Sequence, residues 1–127
     1  MRIYLLNPPY MKGFSRSMRW QEKCRGGTLY YPIWLAYATA RLEHANHEVR
    51  LVDAPAWKWT AQKVISDVIR YNPDLLVLET SYASLRNDLH IASSIKNVYK
   101  NLPTAVVGPP TKMLADNIAS SGIADFI

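Results

Sequence analysis

Short apolar runs and longer stretches of helical periodicity take turns along the chain. Residues 3–6 form the first apolar run, and Asn7-Pro8-Pro9 ends it, because proline cannot donate to a strand ladder. Pro32, at a first-turn position, opens a helix through Ile33, Trp34, Leu35, Ala36, Tyr37, Ala40 and Leu42. So many apolar positions predict burial on most sides, with Trp34 in the core, and Asn46 closes the helix in a left-handed conformation. Residues 49–52 are the second strand. Thr60 then caps a helix whose Ala61, Val64, Ile65, Val68 and Ile69 follow the i, i+3, i+4 spacing up to Asn72-Pro73. Residues 75–78 are apolar at every position, as expected of a central strand covered on both faces. A third helix carries Ile91, Ala92, Ile95, Val98 and Tyr99, and Pro103 precedes the fourth strand at 105–107. Gly108-Pro109-Pro110 ends that strand, a shorter helix runs to Ser121, and Gly122 sits where a C-cap glycine belongs. Ala124-Asp125-Phe126-Ile127 begins a fifth strand.

Strands joined by helices point to an α/β fold, a doubly wound (Rossmann- or flavodoxin-like) parallel sheet. The expected strand order is 2-1-3-4-5 with the final helix missing. That ending leaves one sheet face short of cover, so residues 1–127 are read as one domain, the N-terminal fragment of a longer protein. With 127 residues there is room for a single core.

The net charge of +5 suggests a nucleic-acid binder until its distribution is considered. Residues 1–31 hold Arg2, Lys12, Arg16, Arg19, Lys23 and Arg25 against Glu22, and the remainder is balanced. The excess therefore lies in one early segment, not in a stripe along a helix, and nucleic acid is not the expected partner. No apolar run is long enough to span a bilayer or serve as a signal peptide, so a cytoplasmic location is expected. Cys24 is the only cysteine, which excludes a cluster held by three thiolates of this chain.

Ligands of open α/β sheets bind beyond the carboxyl ends of the strands. Those ends are Asn7-Pro8-Pro9, Asp53-Ala54-Pro55, Glu79-Thr80-Ser81 and Gly108-Pro109-Pro110. A long loop, 10–31, opens from the same rim with five cationic side chains and the Gly26-Gly27 pair. Such a rim suits a phosphate-bearing cofactor with a large flat body. Neither G-x-G-x-x-G nor G-x-x-x-x-G-K-[ST] is present, and the first strand ends without the acidic cluster of a receiver domain or the hydroxyls of a flavin mononucleotide loop.

The ordered set RIYLLNPPY, GGTLYYPIWLAYATARLEHANHEVRLVDAP, NPDLLVLETS, TAVVGPP and ADFI resembles the N-terminal cobalamin-binding domain of B12-dependent radical S-adenosylmethionine enzymes, over nearly the whole chain. The resemblance implies bound cobalamin with its dimethylbenzimidazole tail held away from cobalt and no protein histidine as lower ligand. It implies methyl transfer or rearrangement on an unactivated substrate. By position Asn7, Pro8 and Pro9 would form one wall, with Gly26 and Gly27 on the rim. Thr80 and Ser81 would hydrogen-bond the tail, and Gly108 would let the fourth-strand turn approach it. The [4Fe–4S] cluster and S-adenosylmethionine would belong to a radical S-adenosylmethionine barrel domain, in cis or in trans, with a C-x-x-x-C-x-x-C motif. This chain departs from the pattern at Pro109, where a second glycine is usual, and at Asn46, before HEV.

Other readings of the same residues stand beside this one. A degenerate module without cofactor, acting in docking or regulation, would account for Pro109 and for Trp57 and Trp59 as a partner-facing patch. A small enzyme acting on a phosphorylated metabolite lacks a nucleophile, base and orienting partner at recognisable spacing. Asp88-Leu89-His90 echoes the D-x-H of histidine-ligated cobalamin domains but lies on the helix after the third strand, and is not taken as a cobalt ligand. His44 and His47 read as solvated, Cys24 as incidental, and Asp53 as either a ligand group or a turn former.

Overall fold

The computed structural model describes residues 1–16 and 28–127. Among them, strands and helices alternate as β1 (Arg2–Asn7), α1 (Ile33–His44), β2 (Glu48–Asp53), α2 (Ala61–Tyr71), β3 (Leu75–Glu79), α3 (Leu85–Val98), β4 (Thr104–Val107) and α4 (Thr111–Ser120). The sheet order is β2-β1-β3-β4 and every pairing is parallel. Beyond β4, Phe126 forms a parallel bridge with Ala105, so the fifth place is taken by a single bridge in the expected direction.

Local chemistry sets the element ends. Thr60 accepts a hydrogen bond from the Lys63 N–H (3.2 Å) and starts α2. Asn46 and Asn72 stop α1 and α2 with φ of 61° and 53°, a region their short polar side chains tolerate.

Strand alternation sends successive side chains to opposite faces, and the two faces are covered unequally. Tyr4, Leu6, Val52, Leu76, Leu78 and Val106 pack with Val64 and Val68 of α2, Ile91 and Ile95 of α3 and Ile118 of α4. Tyr4 also donates to Asp67 (2.9 Å), a carboxylate that accepts from Arg50 (2.7 and 3.1 Å) and from Arg70. Burial pushes Asp67 up, but these donors outweigh it and hold the carboxyl below its usual range.

The opposite face carries α1, with Leu35, Ala38 and Leu42 on Ile3, Leu5, Val49 and Leu51, and no other helix among the described residues. This corrects the expectation for the first helix. Its buried side is one narrow stripe, and Ile33, Trp34 and Tyr37 are exposed, Trp34 by 70%. With no second helix beside it among the described residues, nothing covers the flanks of α1, and Leu75, Val77 and Val107 on the same sheet face stay half-buried.

At the end of β4 the chain turns at Gly108 with φ of 136°, against the end of β3. A Cβ there would lie 2.1 Å from the Thr80 carbonyl oxygen, and the Thr80 N–H donates to Val107 O (2.8 Å). Gly108 thus first permits two strand ends to meet. Gly108→Ala is expected to cost about 2 kcal/mol or more in urea unfolding, since it combines a backbone collision with a disfavoured φ. Gly122→Ala, at φ of 67° but facing open space, isolates the conformational part and is expected to cost roughly 1 kcal/mol.

Candidate functional site

In the order β2-β1-β3-β4 the strand order reverses between β1 and β3, and the carboxyl ends there mark the crevice where ligands of such sheets bind. The register aligns Asp53 with Asn7 and Glu79 with Val107, and it places Asn7 beside Glu79, one step beyond the Leu6–Leu78 pair. By alternation Asp53, Asn7 and Glu79 all face the side that carries α1. A row of three polar residues therefore crosses the upper edge of an otherwise apolar face.

Arg16 ties this row to the other side of the sheet. Its guanidinium donates to Asn7 Oδ1 (3.0 Å), to the Pro8 carbonyl (2.5 Å), to Ser84 Oγ (3.1 Å) and to both carboxylate oxygens of Asp88 (2.5 and 3.2 Å). The side chains of Arg16 and Asp88 are 1% and 0% exposed. Asp88 further accepts from Thr80 (2.9 Å), Ser84 (2.6 Å) and Asn87 (3.0 Å), so the buried charges are fully surrounded by partners. The Phe14 and Tyr10 rings, 5.6 and 6.0 Å from the guanidinium carbon, pack beside it, and Tyr10 donates to the Ala83 carbonyl (3.1 Å). The first part of the long loop is thereby fastened onto the start of α3.

Asn7 passes the connection along, donating from Nδ2 to Asp53 Oδ1 (2.9 Å), which also accepts from the Ala56 N–H (3.4 Å). Asp53 is thus both a turn former and a member of the polar row. Burial, opposed by these donors, leaves its carboxyl above the ordinary value.

Glu79 differs from its neighbours. It is 6% exposed, and its Oε2 is buried without a hydrogen-bond partner among the described residues. Burial raises its carboxyl to about 7; Arg16 pulls it down, while Asp53 and Asp88 push it up.

The residues expected at the site divide into three groups. Asn7, Pro8, Pro9, Thr80, Ser81 and Gly108 gather at this edge: Arg16 holds Asn7 and Pro8, Asn87 donates to the Pro9 carbonyl (2.9 Å), and Ser81 shares a proton with Ser84 (2.8 Å). Thr80 and Ser81 are buried, with hydroxyls turned into the Asp88 network. Gly26 and Gly27 lie outside the described residues, as do Arg19, Lys23, Arg25 and Cys24. His90 is exposed on α3, and among the described residues no three His, Cys, Asp or Glu side chains converge as a metal site. Trp57 is exposed and Trp59 half-buried, their rings 4.9 Å apart.

The sequence presents Arg16 only as one cation of the loop, Glu79 only as part of a strand end and Asp88 only within Asp88-Leu89-His90, so their roles here are not read from it. The signal for Asp88 was there: it occupies the buried stripe of α3 with Ile91, Ala92 and Ile95, and a carboxylate on an apolar stripe requires a partner. Glu79 likewise ends a fully apolar strand.

Comparison with known proteins follows the same architecture. The model of the B12 binding domain family matches residues 25–127. An uncharacterized methyltransferase of Pyrococcus horikoshii is 24% identical over 109 residues, covering 86% of this chain and 22% of that protein. The chain thus spans about a fifth of the curated relative it matches. No solved structure matches it.

Two stability measurements probe the site. Asp88→Ala leaves the Arg16 charge buried and unpaired and is expected to cost about 3–5 kcal/mol, whereas the double change Arg16→Met with Asp88→Leu is expected to cost markedly less in the same urea titration. Glu79 has a folded-state value above its unfolded one, so its stabilising contribution is complete below about 4.5 and lost as pH rises through about 7. The melting temperature is expected to fall over that window by the equivalent of up to about 3 kcal/mol, and Glu79→Gln is expected to flatten the profile.

Proposed function

The chain belongs to the B12 binding domain family, and from that membership we propose that it is the cobalamin-binding module of a B12-dependent radical S-adenosylmethionine enzyme that transfers methyl groups to, or rearranges, an unactivated substrate. The observation that carries this reading is the polar edge at the β1/β3 reversal, with its unmet buried oxygen on Glu79. A buried polar atom without a partner asks for a ligand that supplies one. Cobalamin, whose ring is edged with carboxamides, has the chemistry to do so.

Asn7, Pro8 and Pro9 would form one wall, held in place by Arg16 and Asn87. Thr80 and Ser81 would receive the tail: each hydroxyl has lone pairs left after its bond within the Asp88 network. Gly108 would keep the β4 turn low enough against β3 for a planar group to lie over it. Gly26 and Gly27 would contribute backbone at the rim. No histidine of this chain would ligate cobalt: His90 is exposed on α3, and His44 and His47 lie before β2, at the other end of the strands from this edge.

When bound, cobalamin supplies alkyl-group transfer at cobalt; the protein's part is to orient it and exclude water from its tail. The [4Fe–4S] cluster and S-adenosylmethionine would reside in a barrel domain, in cis or in trans. The Pyrococcus horikoshii relative is named as a methyltransferase, which supports methyl transfer as the reaction. The exposed aromatic side of α1, with Trp34 and Tyr37 (ring centroids 6.4 Å apart), supports contact with such a partner domain. The same surface favours a second reading, a docking module without cofactor.

Titrating the purified chain with hydroxocobalamin and following the visible spectrum separates the two. Saturable binding is expected. Thr80→Ala with Ser81→Ala is expected to weaken it by roughly 1–3 kcal/mol through lost hydrogen bonds, with His90→Ala leaving it unchanged. Absence of binding by the unmutated chain would sink the cofactor reading and leave the docking module.

A further inference from the structure

Glu79 is the one buried side chain among the described residues whose chemistry the fold does not use. Every other polar group of the carboxyl edge has its partners: Asn7 between Arg16 and Asp53, Asp88 among four donors, Asp53 with Asn7 and Ala56. The donors of Arg16 go to Asn7, Pro8, Ser84 and Asp88, and none goes to Glu79. Leu76 and Leu78 pack into the core of the opposite face, so the register that turns them inward turns Glu79 to the α1 side. There its neighbours are Asn7 on β1 and Val107 on β4.

We propose that the Glu79 carboxyl group recognises a primary carboxamide on the corrin ring of bound cobalamin, exchanging two hydrogen bonds with it. This rests on the cofactor reading above. The argument is one of complementarity. A neutral carboxyl group has an O–H donor next to a C=O acceptor, and a primary carboxamide presents the matching acceptor and donor. An ionised carboxylate could only accept, leaving the amide carbonyl without its donor from Glu79, a side chain that is 6% exposed.

The surroundings favour the neutral form. Among the described residues, the charged groups around Glu79 are Arg16 from the loop after β1, Asp53 from the end of β2 and Asp88 from α3. The first turn of α1 and the neighbouring Val107 add no charge. Among the described residues, two carboxylates against one guanidinium that is already committed give no fixed countercharge for a third carboxylate, and burial holds the group near neutrality up to about 7. A cationic ligand would require the opposite: an ionised Glu79 and tighter binding as pH rises.

Cofactor uptake should therefore carry a proton with it. The full chain is titrated with hydroxocobalamin, and with dicyanocobinamide, which keeps the ring carboxamides but lacks the nucleotide tail, at pH 6.5 and 8.5. Glu79→Gln serves as the reference at each pH. Its amide can exchange the same two bonds but does not titrate, so any pH effect on the ligand itself cancels in the ratio. The expected result is that wild-type affinity falls on the order of tenfold relative to Glu79→Gln between the two pH values, for both ligands. Glu79→Leu, with circular dichroism confirming the fold, is expected to lose on the order of tenfold at pH 6.5. Calorimetry of the wild type in two buffers of different ionisation enthalpy is expected to show uptake of about half a proton near pH 7, and it needs no variant. A wild type that binds both ligands with the same pH dependence as Glu79→Gln, or more tightly at pH 8.5, overturns the proposal while leaving the cofactor reading standing. Dependence seen with hydroxocobalamin and not with cobinamide overturns it too, by moving the contact to the tail. If the wild type binds neither ligand, the cofactor reading fails first and takes this one with it.

Discussion

The upper half of this domain is organised by one buried ion pair. Arg16 comes from the loop after β1, Asp88 from the first turn of α3, and they are 72 residues apart in sequence. Their bond brings together the end of β1, the end of β3 and the start of α3. Removing two charges from water costs several kcal/mol per ion, which offsets most of their mutual attraction, so the pair contributes little to net stability. Its consequence is positional. With both carboxylate oxygens and the guanidinium shared among Asn7, Pro8, Thr80, Ser84 and Asn87, these groups cannot move independently. The pair also consumes the polar groups nearest it, and among the described residues Glu79 is left as the unmatched member.

Much of the fold was legible because its signals are local. Alternating runs, Thr60 as a cap, Asn46 and Asn72 in left-handed conformation and Gly122 after α4 each act within a few residues, and parallel topology follows from helical crossovers. The surroundings of α1 were not legible. Its composition is that of a buried helix, but burial depends on how many helices share a sheet face, and among the described residues one stands alone, so Trp34 and Tyr37 face outward. A count of apolar residues cannot distinguish a helix wrapped by neighbours from one whose flanks await them.

The site was legible as a place and not as a network. Strand ends and the reversal between β1 and β3 locate it from topology alone, and Asn7, Thr80, Ser81 and Gly108 do gather there. Yet Thr80 and Ser81 are buried against Asp88 and Ser84, and Gly108 lies first of all against the Thr80 backbone. Hydrogen bonds between residues tens of positions apart leave little trace in sequence. What trace there was lay in misfit: Asp88 on an apolar helix stripe and Glu79 at the end of an apolar strand.

These misfits share one physical logic, and they diverge in outcome. A carboxyl group placed where the pattern demands an apolar side chain must find a partner, accept a proton or meet a ligand. Asp88 follows the first course: Arg16 reaches it, two hydroxyls and an amide complete its shell, and it becomes structural. Glu79 feels the charges of Arg16, Asp53 and Asp88, but the guanidinium is already spent on Asp88, and among the described residues the row from Asp53 through Asn7 ends at it without a donor. The structural role of one carboxyl is thus what frees the other. Because Arg16 gives its hydrogen bonds to Asp88, Asn7, Pro8 and Ser84 and acts on Glu79 only through its charge, the fastening of the loop and the readiness of the edge for a ligand are two results of a single choice of partner.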